Sequence, residues 1–96
     1  MIFMEDTHKL TELRKDIDLI DFEILKLLNK RAKKALQVRI AKGGTSVYRP
    51  EREAEVIRHV TSRTTGPLSD EAIKTMFQSI IFVCRSIQEV KIKKGS

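Results

Sequence analysis

From Met1 to Lys42 the chain contains neither glycine nor proline, and through that stretch apolar residues recur at Leu10, Leu13, Ile17, Ile20, Ile24 and Leu27. Steps of three and four residues bring side chains onto one face only in a helix. The pattern predicts one helix of about 36 residues, roughly 54 Å long at 1.5 Å per residue. Asp6 or Thr7 is its expected N-cap, and Gly43-Gly44 ends it by admitting positive φ values. A globule of 96 residues is only roughly 30 Å across. The apolar seam therefore overshoots any core this chain builds alone, and a second chain, most simply in a two-fold dimer, is expected to cover it.

Two further helices follow. Pro50 suits a first helical position, with Glu51 beside it at the positive end of the helix dipole. Ala54, Val56, Ile57 and Val60 make a short amphipathic face that ends near Ser62 to Thr65, because Gly66-Pro67 cannot continue it. Ser69 then caps a third helix, with Asp70 and Glu71 in its first turn. Its face reads Ile73, Met76, Phe77, Ile80, Ile81, Cys84, Ile87 and Gln88, and it runs to about Lys93. There are no strand signals and no internal repeat. The expected fold is all-α, one domain over residues 1–96 with its core at about 7–93 and a basic tail at 91–96.

Nineteen Lys and Arg against 13 Asp and Glu leave a net charge of +6, so a polyanionic partner has to be weighed, nucleic acid first. Charged residues of both signs make up 33% of the chain, aromatic residues only 5%, and there is no Trp. That leaves little material for base stacking, and many cations alternate with acids instead of forming a stripe. No nucleic-acid partner is expected. Cys84 is the single cysteine, which excludes an internal disulfide, and no Cys or His pair has zinc-ligand spacing. Without a signal-peptide pattern or an apolar run of about 20 residues, a cytoplasmic protein with no membrane association is expected.

Several polar residues interrupt the apolar faces. Arg31 continues the series Leu10, Ile17, Ile24, and Lys42 lies 11 residues later. On a helix that spacing leaves both cations pointing the same way, about 16 Å apart along the axis. Either they straddle a groove, or Arg31 snorkels to solvent while Lys42 decorates a helix end. Glu53 shares a face with Val56, Ile57 and Val60, and Gln88 follows Phe77, Ile81 and Cys84. Arg31, Lys42, Arg52, Glu53 and Gln88 gathered round a small polar anion would satisfy one another, as would internal ion pairs of Glu53 with Arg31 or Lys42.

Taken in order, these residues resemble the all-helical chorismate mutases of the AroQ class. The matching pieces are Leu13-Arg14-Lys15, Ile17-Asp18, Ile20-Asp21, Leu27-Leu28-Asn29-Lys30-Arg31, Lys42, the string Val47 to Val56, and Phe77 through Gln88. They cover about residues 8–90, and their joint order and spacing are specific. Tyr48 to Val56 and Gly66 to Glu71 are most similar to the mutase part of bifunctional chorismate mutase/prephenate dehydratases. No dehydratase follows here, so a free-standing mutase and the mutase part of a longer protein both stand.

The resemblance implies an intertwined homodimer of three-helix protomers that rearranges chorismate to prephenate, a step toward phenylalanine and tyrosine, without cofactor or metal. It assigns Arg14 of the partner chain and Arg31 to the two substrate carboxylates. Arg14 precedes Arg31 by 17 residues, roughly 25 Å along and about 100° around an ideal helix, so one straight helix cannot bring both to one small ligand. Lys42 and Gln88 would donate to the ether oxygen, Glu53 would accept from the ring hydroxyl, and Arg52 would support the carboxylate end. Cys84 would be a small wall residue, since the reaction needs no nucleophile. Family members often carry Asp where Arg49 stands, so Arg49 would instead recruit the anion. The segment Gly43 to Tyr48 is read either as a lid that orders over substrate or as a tight connection. The rivals are isochorismate pyruvate lyase on the same scaffold, whose pattern has an apolar residue where Glu53 stands, and a catalytically silent helical interaction or regulatory module.

Overall fold

The computed structural model of the chain describes residues 2–43 and 48–95, with side chains described at 7–43 and 48–89. It consists of α1 (Ile2–Ala41), α2 (Pro50–Arg63) and α3 (Asp70–Gly95), with no strand among the described residues. The all-α reading and the order of one long, one short and one medium helix hold.

The start of α1 differs from the sequence expectation. It begins at Ile2, so Asp6 and Thr7 are interior positions and not caps. Ile2 to Glu5 contain no glycine or proline, so nothing in that stretch stops the helix. The Thr11 hydroxyl donates to the Thr7 carbonyl at 2.9 Å, the back-bonding typical of threonine inside a helix. At the other end Gly43 has φ of 64°, and its N–H donates to the Ile40 carbonyl at 3.0 Å. That left-handed step is what a glycine just past a helix permits. Gly44 and Thr45 to Val47 lie outside the described residues, and with them all but the two ends of the segment read as a lid or a tight connection.

Pro50 opens α2, with Glu51 and Glu53 in the first turn. Its N-cap residue is Arg49, which has no side-chain acceptor and makes no capping bond. Before α3, Thr64 Oγ1 donates to the Leu68 carbonyl at 3.2 Å and accepts from the Gly66 N–H at 3.4 Å. The Gly66-Pro67 peptide bond is cis and Gly66 has φ of 85°. Ser69 caps α3 as expected: its Oγ accepts from the Ala72 N–H at 3.1 Å. The helix continues to Gly95, slightly past the expected end at Lys93.

The chain divides into two units, Met1–Lys30 and Arg31–Ser96. Along the first, the apolar seam is open: Leu10, Leu13, Ile17, Ile20, Ile24 and Leu27 are all exposed within the single chain. In the second unit α2 packs along α3. Val56, Ile57, Val60, Ile73, Phe77 and Ile80 are half-buried there, while Met76 stays exposed. Ile81 and Cys84 are the buried apolar residues among those described, and Gln88 is the buried polar one. The most enclosed point of the second unit is thus one face of α3 that carries an amide. No helix of the described residues is long and apolar enough to cross a membrane.

Candidate active site

A groove of about 310 Å³ opens in the second unit beside that face of α3. The last turns of α1 contribute Arg31, Lys34, Ala35 and Val38, spaced by one and three, and Lys42 follows just past the end of the helix, four residues after Val38. From the start of α2 come Arg49, Arg52, Glu53 and Val56, and from α3 come Ile81, Cys84, Arg85 and Gln88. Of the residues the sequence pointed to, Arg31, Lys42, Arg49, Arg52, Glu53, Cys84 and Gln88 are brought together. Arg14 belongs to the first unit, and the groove is formed wholly by residues of the second. Its volume lies at the small end of the range for small-molecule sites.

The electrostatics of the groove are one-sided. Arg31, Lys34, Lys42, Arg49, Arg52 and Arg85 line it together with a single carboxylate, Glu53. Arg85 Nη1 donates to Glu53 Oε2 at 2.8 Å, with both side chains about a quarter exposed. The carboxylate thus has a guanidinium partner on α3, which neither Arg31 nor Lys42 had to provide. Arg52 pairs with Glu55, three residues on along α2. Its guanidinium holds the Glu55 carboxyl below the ordinary range, but a pair this exposed contributes little to stability.

Gln88 is fixed by a contact that sequence spacing did not reveal. Its Nε2 donates to the Ala35 carbonyl at 2.6 Å, joining α3 to α1. That acceptor identifies the nitrogen side of the amide. An amide nitrogen carries two hydrogens, so the second remains for whatever occupies the groove. Cys84 is a buried free thiol in the wall. Among the described residues no group of three His, Cys, Asp or Glu side chains is placed to hold a metal ion. Sequence reasoning missed Lys34 and Arg85. Both had a signal: Lys34 follows Arg31 by three, and Ile81, Cys84, Arg85 and Gln88 are spaced i, i+3, i+4, i+7.

A cationic groove with one carboxylate and one oriented amide suits a small dianion carrying a hydroxyl. Residues 13–89 match the family model for chorismate mutase type II. The chain belongs to that family. Among solved structures, chorismate mutase from Helicobacter pylori in complex with prephenate is similar at a TM-score of 0.82 and 31% identity, over 88% of this chain and 93% of that one. Chorismate mutase from Thermus thermophilus is similar at a TM-score of 0.77 and 30% identity, over 84% and 94%. The bifunctional chorismate mutase/prephenate dehydratase of Neisseria gonorrhoeae is 43% identical over 75 residues, covering 78% of this chain and 21% of that protein. That of Aquifex aeolicus is 38% identical over 91 residues, covering 88% and 25%. The chain thus spans about a fifth to a quarter of the length of the curated relatives it matches.

Proposed function

We propose that the chain rearranges chorismate to prephenate in the groove over residues 31–88. The observation that carries this is the meeting of Arg31, Lys42, Glu53 and Gln88 round one small space in a chain of this family. The reaction is an intramolecular pericyclic shift: the ether C–O bond breaks as a C–C bond forms, and no atom is gained or lost. Catalysis therefore consists of holding the reactive conformer and stabilising the charge that grows on the ether oxygen. Arg31 is suited to a carboxylate of the substrate by its planar fork of donors. Lys42 and the second Gln88 N–H donate to the ether oxygen, and Glu53 accepts from the ring hydroxyl. Arg49, in place of the usual Asp, adds a cation to the groove, and Arg52 supports the carboxylate end.

Isochorismate pyruvate lyase chemistry is separated from mutase chemistry by supplying each substrate in turn. Chorismate should be consumed with prephenate appearing, and isochorismate should yield no pyruvate above the uncatalysed rate. Pyruvate from isochorismate, with no prephenate from chorismate, would make the chain a lyase.

The site is completed, on this reading, by Arg14 of a second copy in a two-fold dimer. The open apolar seam of residues 10–27 supports it, because a single chain leaves that seam in water. Mixing tests the arrangement. Arg14→Ala and Arg31→Ala are each expected to lose at least about nine-tenths of the activity at chorismate well below KM, and the mixture is assayed there. Unfolded and refolded together in equal amounts they should recover about a quarter of wild-type activity, since half the dimers are mixed and each mixed dimer holds one intact site. Recovery no greater than the sum of the two variants would place Arg14 outside the shared site. Where the chain forms part of a longer protein, a prephenate dehydratase domain is the proposed companion, as in the bifunctional relatives.

A further inference from the structure

Arg85 holds three positions at once. Its guanidinium donates to Glu53 at 2.8 Å, lies 4.4 Å from the centre of the Tyr48 ring, and borders both the groove and a second cavity that Glu53 also lines. Phe82, 6.0 Å away on the same helix, gives it a second aromatic neighbour. A guanidinium that is both paired with a carboxylate and set against aromatic rings has little freedom left to rotate. Glu53, approached by that fixed group, has one oxygen held and the other left for the groove.

We propose that Arg85 is a positioning residue: it aims the Glu53 carboxylate at the substrate hydroxyl, and Tyr48 secures it from the α1–α2 connection. The proposal rests on the mutase reading of the groove. Tyr48 lies two residues before Pro50, so the ring on Arg85 also ties the start of α2 to α3. The aim of Glu53 is thereby set by two elements other than its own helix. A hydroxyl acceptor contacts substrate in the ground state and the transition state alike, so misaiming it removes uniform binding and appears in KM.

The test is a double-mutant cycle on chorismate turnover. Arg85→Met keeps the aliphatic stem and removes the guanidinium. It should raise KM about tenfold with kcat within about threefold of wild type, and Arg85→Lys should recover part of that loss. In a Glu53→Gln background Arg85→Met should change KM by less than about twofold, because no carboxylate remains to be aimed. Equal losses in both backgrounds, with helicity retained, would show that Arg85 acts on the ligand or the fold directly and overturn the proposal. Absence of wild-type turnover would instead overturn the mutase reading, and the proposal with it.

Discussion

Lys42→Ala is expected to lower kcat by about 10²–10³-fold and to leave KM within a few-fold of wild type; the magnitude is that of removing one donor from a developing oxyanion. The ether oxygen carries little charge in bound chorismate and most in the transition state. An interaction that grows between the two acts on kcat. Arg31→Ala behaves differently, because a substrate carboxylate is charged throughout. It should raise KM and lower kcat/KM by about 10–100-fold, the range of a lost charge-assisted hydrogen bond. Steady-state kinetics of the two variants at one pH separates these roles. Equal effects on KM alone would reduce both residues to generic anion attraction.

Gln88→Glu makes both activity and stability depend on pH. Gln88 is buried, and its Nε2 donates to the Ala35 carbonyl at 2.6 Å. A carboxylate there would face that carbonyl oxygen with no hydrogen to offer, setting two acceptors against each other and leaving the buried charge without its hydrogen bond, at a cost of about 1–3 kcal/mol. Burial beside an acceptor favours the protonated form, so the introduced carboxyl has a folded pKa above its unfolded value of about 4.3. Between the two values the unfolded chain binds fewer protons than the folded one, so the variant loses stability as pH rises through that window. Below about pH 4.3 the titration penalty is absent. Activity follows the same protonation, since only the acid form donates to the ether oxygen. At neutral pH it should fall about 10²-fold and recover on acidification, while wild type holds into mildly alkaline conditions. Parallel pH profiles of kcat and of the thermal midpoint check this. A variant profile parallel to that of wild type in both would remove Gln88 from the role.

The fold was legible where local chemistry is unambiguous. Pro50 starts a helix because its missing N–H costs nothing there, Ser69 caps one because its hydroxyl accepts, and Gly43 ends one because it adopts positive φ. The start of α1 was misjudged because Asp6 and Thr7 are good caps only where the preceding residues leave the helix, and Ile2 to Glu5 do not. The groove was legible through polar residues on apolar faces: Arg31, Lys42, Glu53 and Gln88 each break a helical pattern, and the structure puts all of them round one space.

Less legible was what holds those residues. The Gln88 bond to Ala35 spans 53 residues and the Arg85 pair with Glu53 spans 32. Such long-range partners leave no local periodicity to read. Arg85 lay on the right face of α3 yet passed as one more cation in a chain where 33% of the residues are charged. Arg14 is the opposite case. Its assignment comes from resemblance and from spacing along an ideal helix, and no contact within the second unit bears on it.

The central claim is that the groove of residues 31–88 is where chorismate becomes prephenate. Its most direct test is to follow chorismate loss by absorbance and prephenate gain by proton NMR, for wild type and for the double variant Arg31→Ala/Lys42→Ala, with helicity and oligomeric state checked on the same samples. The account predicts stoichiometric prephenate from wild type and a rate indistinguishable from the uncatalysed reaction for the folded double variant. Prephenate formation at the wild-type rate by that variant would place the chemistry elsewhere and contradict the account.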